Sequence, residues 1–435
     1  MQIKTRIKSL LPSVLKVALL PLSGRPAGEN RIVFLGQMGR DVWECSGNPY
    51  YLCRYLDEQT PEAYELNWVV RDPSRYADYL GERVRLLKHG SLSSLRILLT
   101  ARVVVTNGSY VPWFPFRKDQ YVINTWHGGG AYKRNENARP GADAATARRA
   151  RHVSEHTRLF ISTCRMASEK IMRGTYGYEG RILECGMPRN DRLVRYGMAA
   201  SSLRAGDGDQ LDEDAIAPIR EAADKVRRYF GIPEGERILL YAPTYRPAPA
   251  GDLVPDLKRI RDLLEQEGRR WHVLIRSHHY QRLSGEVISS AGYDASGYPD
   301  MQELLAATDL LITDYSSAIW DYSFLYRPCL LYVPDLDSYR QDPGFYVDID
   351  EWPYPWARTQ EELEELLTEA LDGGAFREVG YAGRETVSPY GQLLCERIDA
   401  HHRLMGSCES GFATERIVRR IRHVCAQAGT PGGGS

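Results

Sequence analysis

Four short stretches of this sequence combine residue types that can hold an anion or move a proton. The first is Asn124-Thr-Trp-His127-Gly-Gly-Gly130. Imidazole titrates near neutral pH, so His127 is a candidate general base. Gly128 and Gly129 let backbone amides approach an anion closely. The second stretch, Tyr241-Ala-Pro-Thr-Tyr-Arg246, offers Arg246 as a phosphate contact. In the third, Leu274-Ile-Arg-Ser-His-His279, Arg276 and His278 point the same way if the chain is extended, which suits an anionic group. The fourth is Leu311-Ile-Thr-Asp-Tyr-Ser-Ser-Ala-Ile-Trp-Asp321. Here Ser316 and Ser317 open a predicted helix and turn hydroxyls and first-turn amides toward an anion. Asp321, four residues after Ser317, lies on the same side and is the candidate for ribose hydroxyls.

Two look-alike motifs weaken on inspection. His-Gly-Gly-Gly also occurs at lipase oxyanion holes, but the G-x-S-x-G elbow that must accompany it is absent from the sequence. His152-Val-Ser-Glu-His156 fits a zinc spacing, yet Arg148, Arg149, Arg151 and Arg158 crowd it, which disfavours a dication. It reads as a helix face, and no metal site is expected. The sequence contains no G-x-x-x-x-G-K phosphate loop and no G-x-G-x-x-G opening a helix.

Each of the four stretches follows a short apolar, β-branched run. Runs at Ile32–Leu35, Trp68–Val70, Val84–Leu87, Val103–Thr106, Tyr121–Asn124, Leu159–Ser162 and Ile182–Glu184 predict strands in the first half. Ile238–Tyr241, His272–Ile275, Leu310–Thr313 and Cys329–Val333 predict strands in the second. Helices are expected at 215–230, 256–267, 301–307, 316–326 and 361–372. Such alternation predicts parallel sheets covered on both faces, hence an α/β protein of two Rossmann-like domains facing across a cleft. The expected division is a basic amphipathic segment at 1–28, a first domain at 29–197 and a polar linker at 198–214. A second domain follows at 215–405, then a carboxyl-terminal helix and flexible tail at 406–435.

The 435 residues carry 56 Lys+Arg against 57 Asp+Glu, a net charge of −1. That balance argues against a dedicated nucleic-acid binder. It hides segregation: 14 basic against 7 acidic residues lie between Lys133 and Arg195, and 10 acidic against one basic between Asp342 and Asp372. Lys4, Arg6, Lys8 and Lys16 alternate with apolar residues at helical spacing, which predicts a helix on an anionic membrane surface, with a signal peptide and a helix packed on the domain as the competing readings. The eight cysteines form no C-x-x-C pair and read as reduced thiols.

In order and spacing, these motifs resemble the CDP-glycerol glycerophosphotransferase family, the teichoic acid primases and polymerases. Gly186-Met-Pro-Arg-Asn-Asp191 and Pro328-Cys-Leu-Leu-Tyr-Val-Pro-Asp335 extend the likeness, which runs from about Ile32 to about Ile398. The resemblance implies a glycosyltransferase-B-like fold. It implies transfer of glycerol phosphate or a related polyol phosphate from a CDP-activated donor, CDP-glycerol or CDP-ribitol, with release of CMP and no metal or other cofactor. The implied acceptor is a lipid-linked glycan or polyol phosphate at the cytoplasmic face of the plasma membrane, in teichoic acid or capsule-like synthesis. By position, His127 matches the proposed base. Arg276, His278, Ser316, Ser317 and Arg246 match donor phosphate ligands, His278 is counted with His127 as a catalytic residue, and Asp321 matches the ribose contact. Gly129-Gly130, His279, Tyr354-Pro355 and Tyr390-Gly391 depart from the family pattern. A nucleotide-sugar glycosyltransferase or UDP-sugar epimerase of the same architecture is the competing enzymatic reading, and a non-catalytic membrane scaffold a further one.

Overall fold

The computed structural model describes residues 28–427 except 37–43, 61–62, 109–113, 140–142, 206–211, 245–252, 278–287, 289–290 and 377–387. The strands of the first half are β1 (Gly28–Leu35), β2 (Glu65–Val70), β3 (Arg85–Lys88), β4 (Ala101–Thr106), β5 (Tyr121–Asn124), β6 (Thr157–Ser162) and β7 (Arg181–Glu184). Among the described residues they form one parallel sheet in the order β3-β2-β1-β4-β5-β6-β7. The second half contributes β8 (Arg237–Tyr241), β9 (Trp271–Ile275), β10 (Tyr293–Asp294), β11 (Leu310–Thr313), β12 (Cys329–Tyr332) and β13 (Trp356–Ala357). These pair in parallel as β10-β9-β8-β11-β12-β13. Both sheets therefore reverse direction once, between β1 and β4 and between β8 and β11. Such reversals open a crevice at the carboxyl ends of the strands.

Near-continuous apolar runs make the inner strands of each sheet, such as β1, β4, β8 and β11, buried on both faces. In the first sheet, Ile32, Phe34, Val103 and Val105 pack on one side with Ile417, Val418 and Ile421. On the other side Val33, Leu35 and Val104 pack with the helix Leu92–Thr100. In the second, Leu239, Val273 and Ile312 pack against the helices Leu257–Leu264 and Gln360–Asp372. A third core cluster runs through both domains, joining Trp126, Phe160 and Met187 to Ile319, Trp320 and Leu304.

Three expectations change. The segment 198–214 is not a plain linker: the helix Asp191–Ala205 occupies its first half, and the next helix begins at Glu213. The carboxyl-terminal helix, Ala413–Ala426, is no appendage; it returns to the first domain and covers one face of its sheet. The helix expected over 316–326 is only Ala318–Ser323. The amino-terminal basic segment and the tail beyond residue 427 lie outside the described residues. Among the described residues, no helix is long and apolar enough to cross a membrane. The eight cysteines, all described, are free.

Candidate functional site

The carboxyl ends of both sheets converge on one cavity of about 300 Å³. Its first-domain wall carries Tyr50, Arg75, Tyr79, Asn107, His127 and Arg189. Its second-domain wall carries Pro243, Arg276, Ser277, Tyr298, Asp300, Ser316, Ser317 and Asp321. Asn107 follows β4, His127 follows β5, Arg276 follows β9 and Ser316 follows β11, so the strand ends place the chemistry.

The loop after β5 is held tightly. Asn124 accepts the Trp126 amide through Oδ1 (3.0 Å) and donates through Nδ2 to the Gly108 carbonyl (3.2 Å). Trp126 is buried with φ +55°, a left-handed conformation that a bulky residue adopts only under constraint. Buried Asn48 supplies some of it, donating to the Thr125 and Trp126 carbonyls, each at 3.1 Å. His127 is thereby turned into the cavity, solvent-accessible but surrounded by protein on most sides. Its Nδ1 meets the Asn107 carbonyl at 2.8 Å. A carbonyl can only accept, so Nδ1 carries hydrogen and Nε2 keeps its lone pair when the ring is neutral. The enclosing protein lowers the imidazole pKa; the Asn107 bond opposes this, and the Arg189 and Lys133 charges reinforce it.

The glycines that follow serve the domain interface. A Cβ on Gly129 would lie 2.3 Å from Cδ1 of Trp320 in the second domain, so only glycine fits. Gly129 is thus explained by this close approach, where an anion contact was expected of it. A Cβ on Gly128 would meet the Ser317 Oγ at 3.8 Å, which puts Gly128 beside the serine pair. Further on, Lys133 bridges to Phe345 in antiparallel fashion, flanked by bonds from Arg134 N to Gly344 O (2.9 Å) and Tyr346 N to Tyr132 O (2.7 Å).

On the opposite wall, Arg276 donates to the Tyr298 carbonyl (2.7 Å) and, at 3.4 Å, to that of Ala295. Burial lowers its pKa, and Asp300, Tyr79 and Tyr298 oppose that; arginine stays a cation at working pH. Ser316 Oγ accepts the Ala318 amide at 3.2 Å. Ser317 precedes the helix without a side-chain cap, leaving its hydroxyl at the cavity. The helix is too short for its dipole to add much, so the local amides and hydroxyls set the anion character.

Asp321 does not have the environment expected of a ribose contact. It is only 3 % exposed, and both its oxygens are taken. Arg189 donates from Nε at 3.0 Å, Asn190 from Nδ2 at 2.8 Å and Gln302 from Nε2 at 3.0 Å. The carboxylate is a structural ion-pair partner across the domain boundary, because burial demands that its charge be met. Arg246 and His278 lie outside the described residues. The zinc-like stretch is helix packing: His152 Nε2 meets the Phe114 carbonyl, His156 Nδ1 that of His152, and Glu155 faces solvent. Among the described residues, no group of three or more His, Cys, Asp or Glu converges as metal ligands.

Sequence reasoning missed Asn48, Asn107, Arg189 and Glu409. Arg189 stood in a quoted stretch without a role. Glu409 joins the domains: it accepts the Met187 amide (2.9 Å), Asn190 Nδ2 (3.3 Å), the Thr163 hydroxyl and Trp320 Nε1 (3.1 Å). Nothing local marks it, since its partners come from three distant segments.

Residues 22–384 match the CDP-glycerol:poly(glycerophosphate) glycerophosphotransferase family. The chain belongs to this family. It is a transferase, and its glycosyltransferase-B-like fold is that of the wall teichoic acid polymerase TagF. The TagF structure superposes with a TM-score of 0.73 at 23 % identity, over 97 % of this chain and 98 % of that one. The teichoic acid poly(glycerol phosphate) polymerase of Bacillus spizizenii is 27 % identical over 84 % of this chain and 90 % of its own length. That of Bacillus subtilis is 28 % identical over 82 % of this chain, which spans about half of it (46 %). Ribitol-phosphate polymerases and primases also stand among the family relatives.

Proposed function

We propose that this enzyme transfers glycerol phosphate, or the related ribitol phosphate, from a CDP-activated donor to a hydroxyl of a lipid-linked or glycan acceptor, releasing CMP. The observation that carries this reading is a single cavity with the His127 imidazole on one wall and Arg276, Ser316 and Ser317 on the other. The acceptor oxygen attacks the phosphorus that bears the polyol. A new P–O bond forms, the bond to the bridging oxygen breaks, and CMP leaves with that oxygen. His127 Nε2 takes the hydroxyl proton as the oxygen attacks. Arg276 and the serine hydroxyls meet the charge that grows on the departing phosphate, and Arg246 and His278 are assigned to the same task. This charge handling needs no metal, because cations and hydroxyls do it and the two carboxylates on the wall, Asp300 and Asp321, already have partners.

The acceptor belongs on the first-domain wall, around Tyr50, Arg75 and Tyr79. We place the enzyme peripherally at the cytoplasmic face of the membrane, where a lipid-linked acceptor is presented. The basic excess between Lys133 and Arg195 and the basic amino terminus support this, since each favours an anionic surface.

The test is thermal stabilisation by CDP-glycerol, CDP-ribitol, CMP and UDP-N-acetylglucosamine, followed by CMP release with a lipid-linked acceptor. The CDP-polyols and CMP should raise the melting temperature, and one of the CDP-polyols should turn over. Stabilisation by the UDP-sugar alone would return the reading to a nucleotide-sugar enzyme.

A further inference from the structure

We propose that Arg189 is a positioning residue for the transfer, fixing His127 of the first domain in register with the Ser316–Ser317 wall of the second. The inference rests on the assignment of His127 as the base. Arg189 is 8 % exposed and uses its guanidinium in two directions. One edge grips Asp321, with Nε to Oδ2 at 3.0 Å and NH2 to Oδ1 at 3.2 Å. The other donates from NH1 to the His127 carbonyl at 2.6 Å. Its own backbone amide donates to Asn48 Oδ1 at 3.3 Å, and Asn48 in turn holds the Thr125 and Trp126 carbonyls. Three successive carbonyls, 125 to 127, are therefore tied to Arg189 directly or through one amide. Those ties restrain the left-handed Trp126 that aims the imidazole. Asp321 follows Ser317 by four residues in the same short segment, so the ion pair sets the distance between the two walls.

Only a planar fork reaches both partners at once; lysine is a point charge and can satisfy one. Because a lone buried charge would threaten folding, two variants are needed. R189K keeps the cation. R189M with D321N removes both charges together. Arg189 and Lys133 are the charges that bear on the His127 ring, and Arg75, Arg276, Asp300 and Asp321 share its cavity. Removing the Arg189 cation should raise the imidazole pKa.

The experiment measures kcat, the donor KM, the pH profile and the melting temperature of wild type and both variants with the CDP-polyol that wild type uses. In both variants kcat should fall about 100-fold, the effect of misplacing a reacting group by about 1 Å, with KM little changed. The acid limb of kcat/KM should stay in place for R189K and move to higher pH for the double variant. A kcat for R189K within a few-fold of wild type would overturn the proposal. So would a rise in KM at constant kcat, or activity that merely tracks the folded fraction. Should wild type itself turn over no CDP-polyol, the functional reading fails instead, and the two failures are distinct.

Discussion

At the scale of single residues, the tautomer of His127 decides which way a proton can move. Its Nδ1 is committed to the Asn107 carbonyl, so the ring, which lines the cavity, can accept a proton only at Nε2. Burial and the Arg189 and Lys133 charges favour the neutral ring, the form a base requires. His127→Gln should therefore lower kcat/KM by about 10²–10⁴-fold while leaving the melting temperature nearly unchanged, because the amide can keep a donor on the Asn107 carbonyl. The base works only when unprotonated, so activity is full above its pKa and falls as pH drops through it. That midpoint should lie below about 6.5, the ordinary histidine value. A kcat/KM profile from pH 5 to 8 measures it, and a midpoint above the ordinary value would contradict the environment described. Asp321 teaches the complementary lesson. Its residue type and spacing read as a ribose ligand, but its partners Arg189 and Asn190 lie about 130 positions away, where no local pattern reveals them.

At the scale of elements, a second carboxylate ties the chain's end to its beginning. Asp191 opens the helix Asp191–Ala205, and its two oxygens accept the amides of Ala413 (2.8 Å) and Thr414 (2.9 Å). It thus caps a different helix, Ala413–Ala426, and docks it on the first sheet. Asp191→Ala should cost about 1–2 kcal/mol, in the range of lost helix caps. Hydrogen exchange should then speed up most in 413–426; uniform exchange across the protein would refute the capping role. The sequence predicts a helix in that stretch, but not which sheet buries its face. Runs such as Val103-Val-Val announced central strands, because parallel strands are apolar on both faces. The edge strands Tyr293–Asp294 and Trp356–Ala357 are two residues long, too short for any periodicity. The helix after Ser317 was overestimated because its apolar pattern continues through the turns at 324–326, where Tyr326 takes φ +54°. His127, Arg276, Ser316 and Ser317 were legible because ligands gather beyond strand ends, and those ends were legible. Arg189 and Glu409 were not, because they act through the packing of one domain on the other, and Asn48 was not, because its partners Thr125, Trp126 and Arg189 lie far along the chain.

At the scale of the whole molecule, the junction between domains holds groups whose protons pull stability in opposite directions. His401 bonds to Tyr132 and to the Glu351 carbonyl (both 2.9 Å), and His402 to Ser323 (2.7 Å). Burial pushes their pKa values down to about 4 and about 3, with His401 adding to the effect on His402. An unfolded histidine protonates near 6.5, so below that pH the unfolded chain binds more protons and stability falls as pH falls. Two such groups give roughly 2.7 kcal/mol per pH unit at most. Glu409 and Asp191 act with the other sign. Burial pushes Glu409 up to about 7 from an ordinary 4.5, and Asp191 up to about 6 from 3.8, although donors surround both. Here the folded chain binds more protons, so stability falls as pH rises through those windows. Between pH of about 4.5 and 6 the two pairs oppose each other, so Glu409 and Asp191 blunt the acid loss of stability that the buried histidines cause. Glu409→Gln removes one opposing proton. Its melting temperature should decline more steeply than that of wild type from pH 6 to 4.5, by about 1.4 kcal/mol per unit, and compare most favourably with wild type at pH 8. Thermal melts of both proteins across pH 4.5 to 8 decide it. Parallel curves would mean that Glu409 ionises alike in the folded and unfolded chains, and that another group provides the balance.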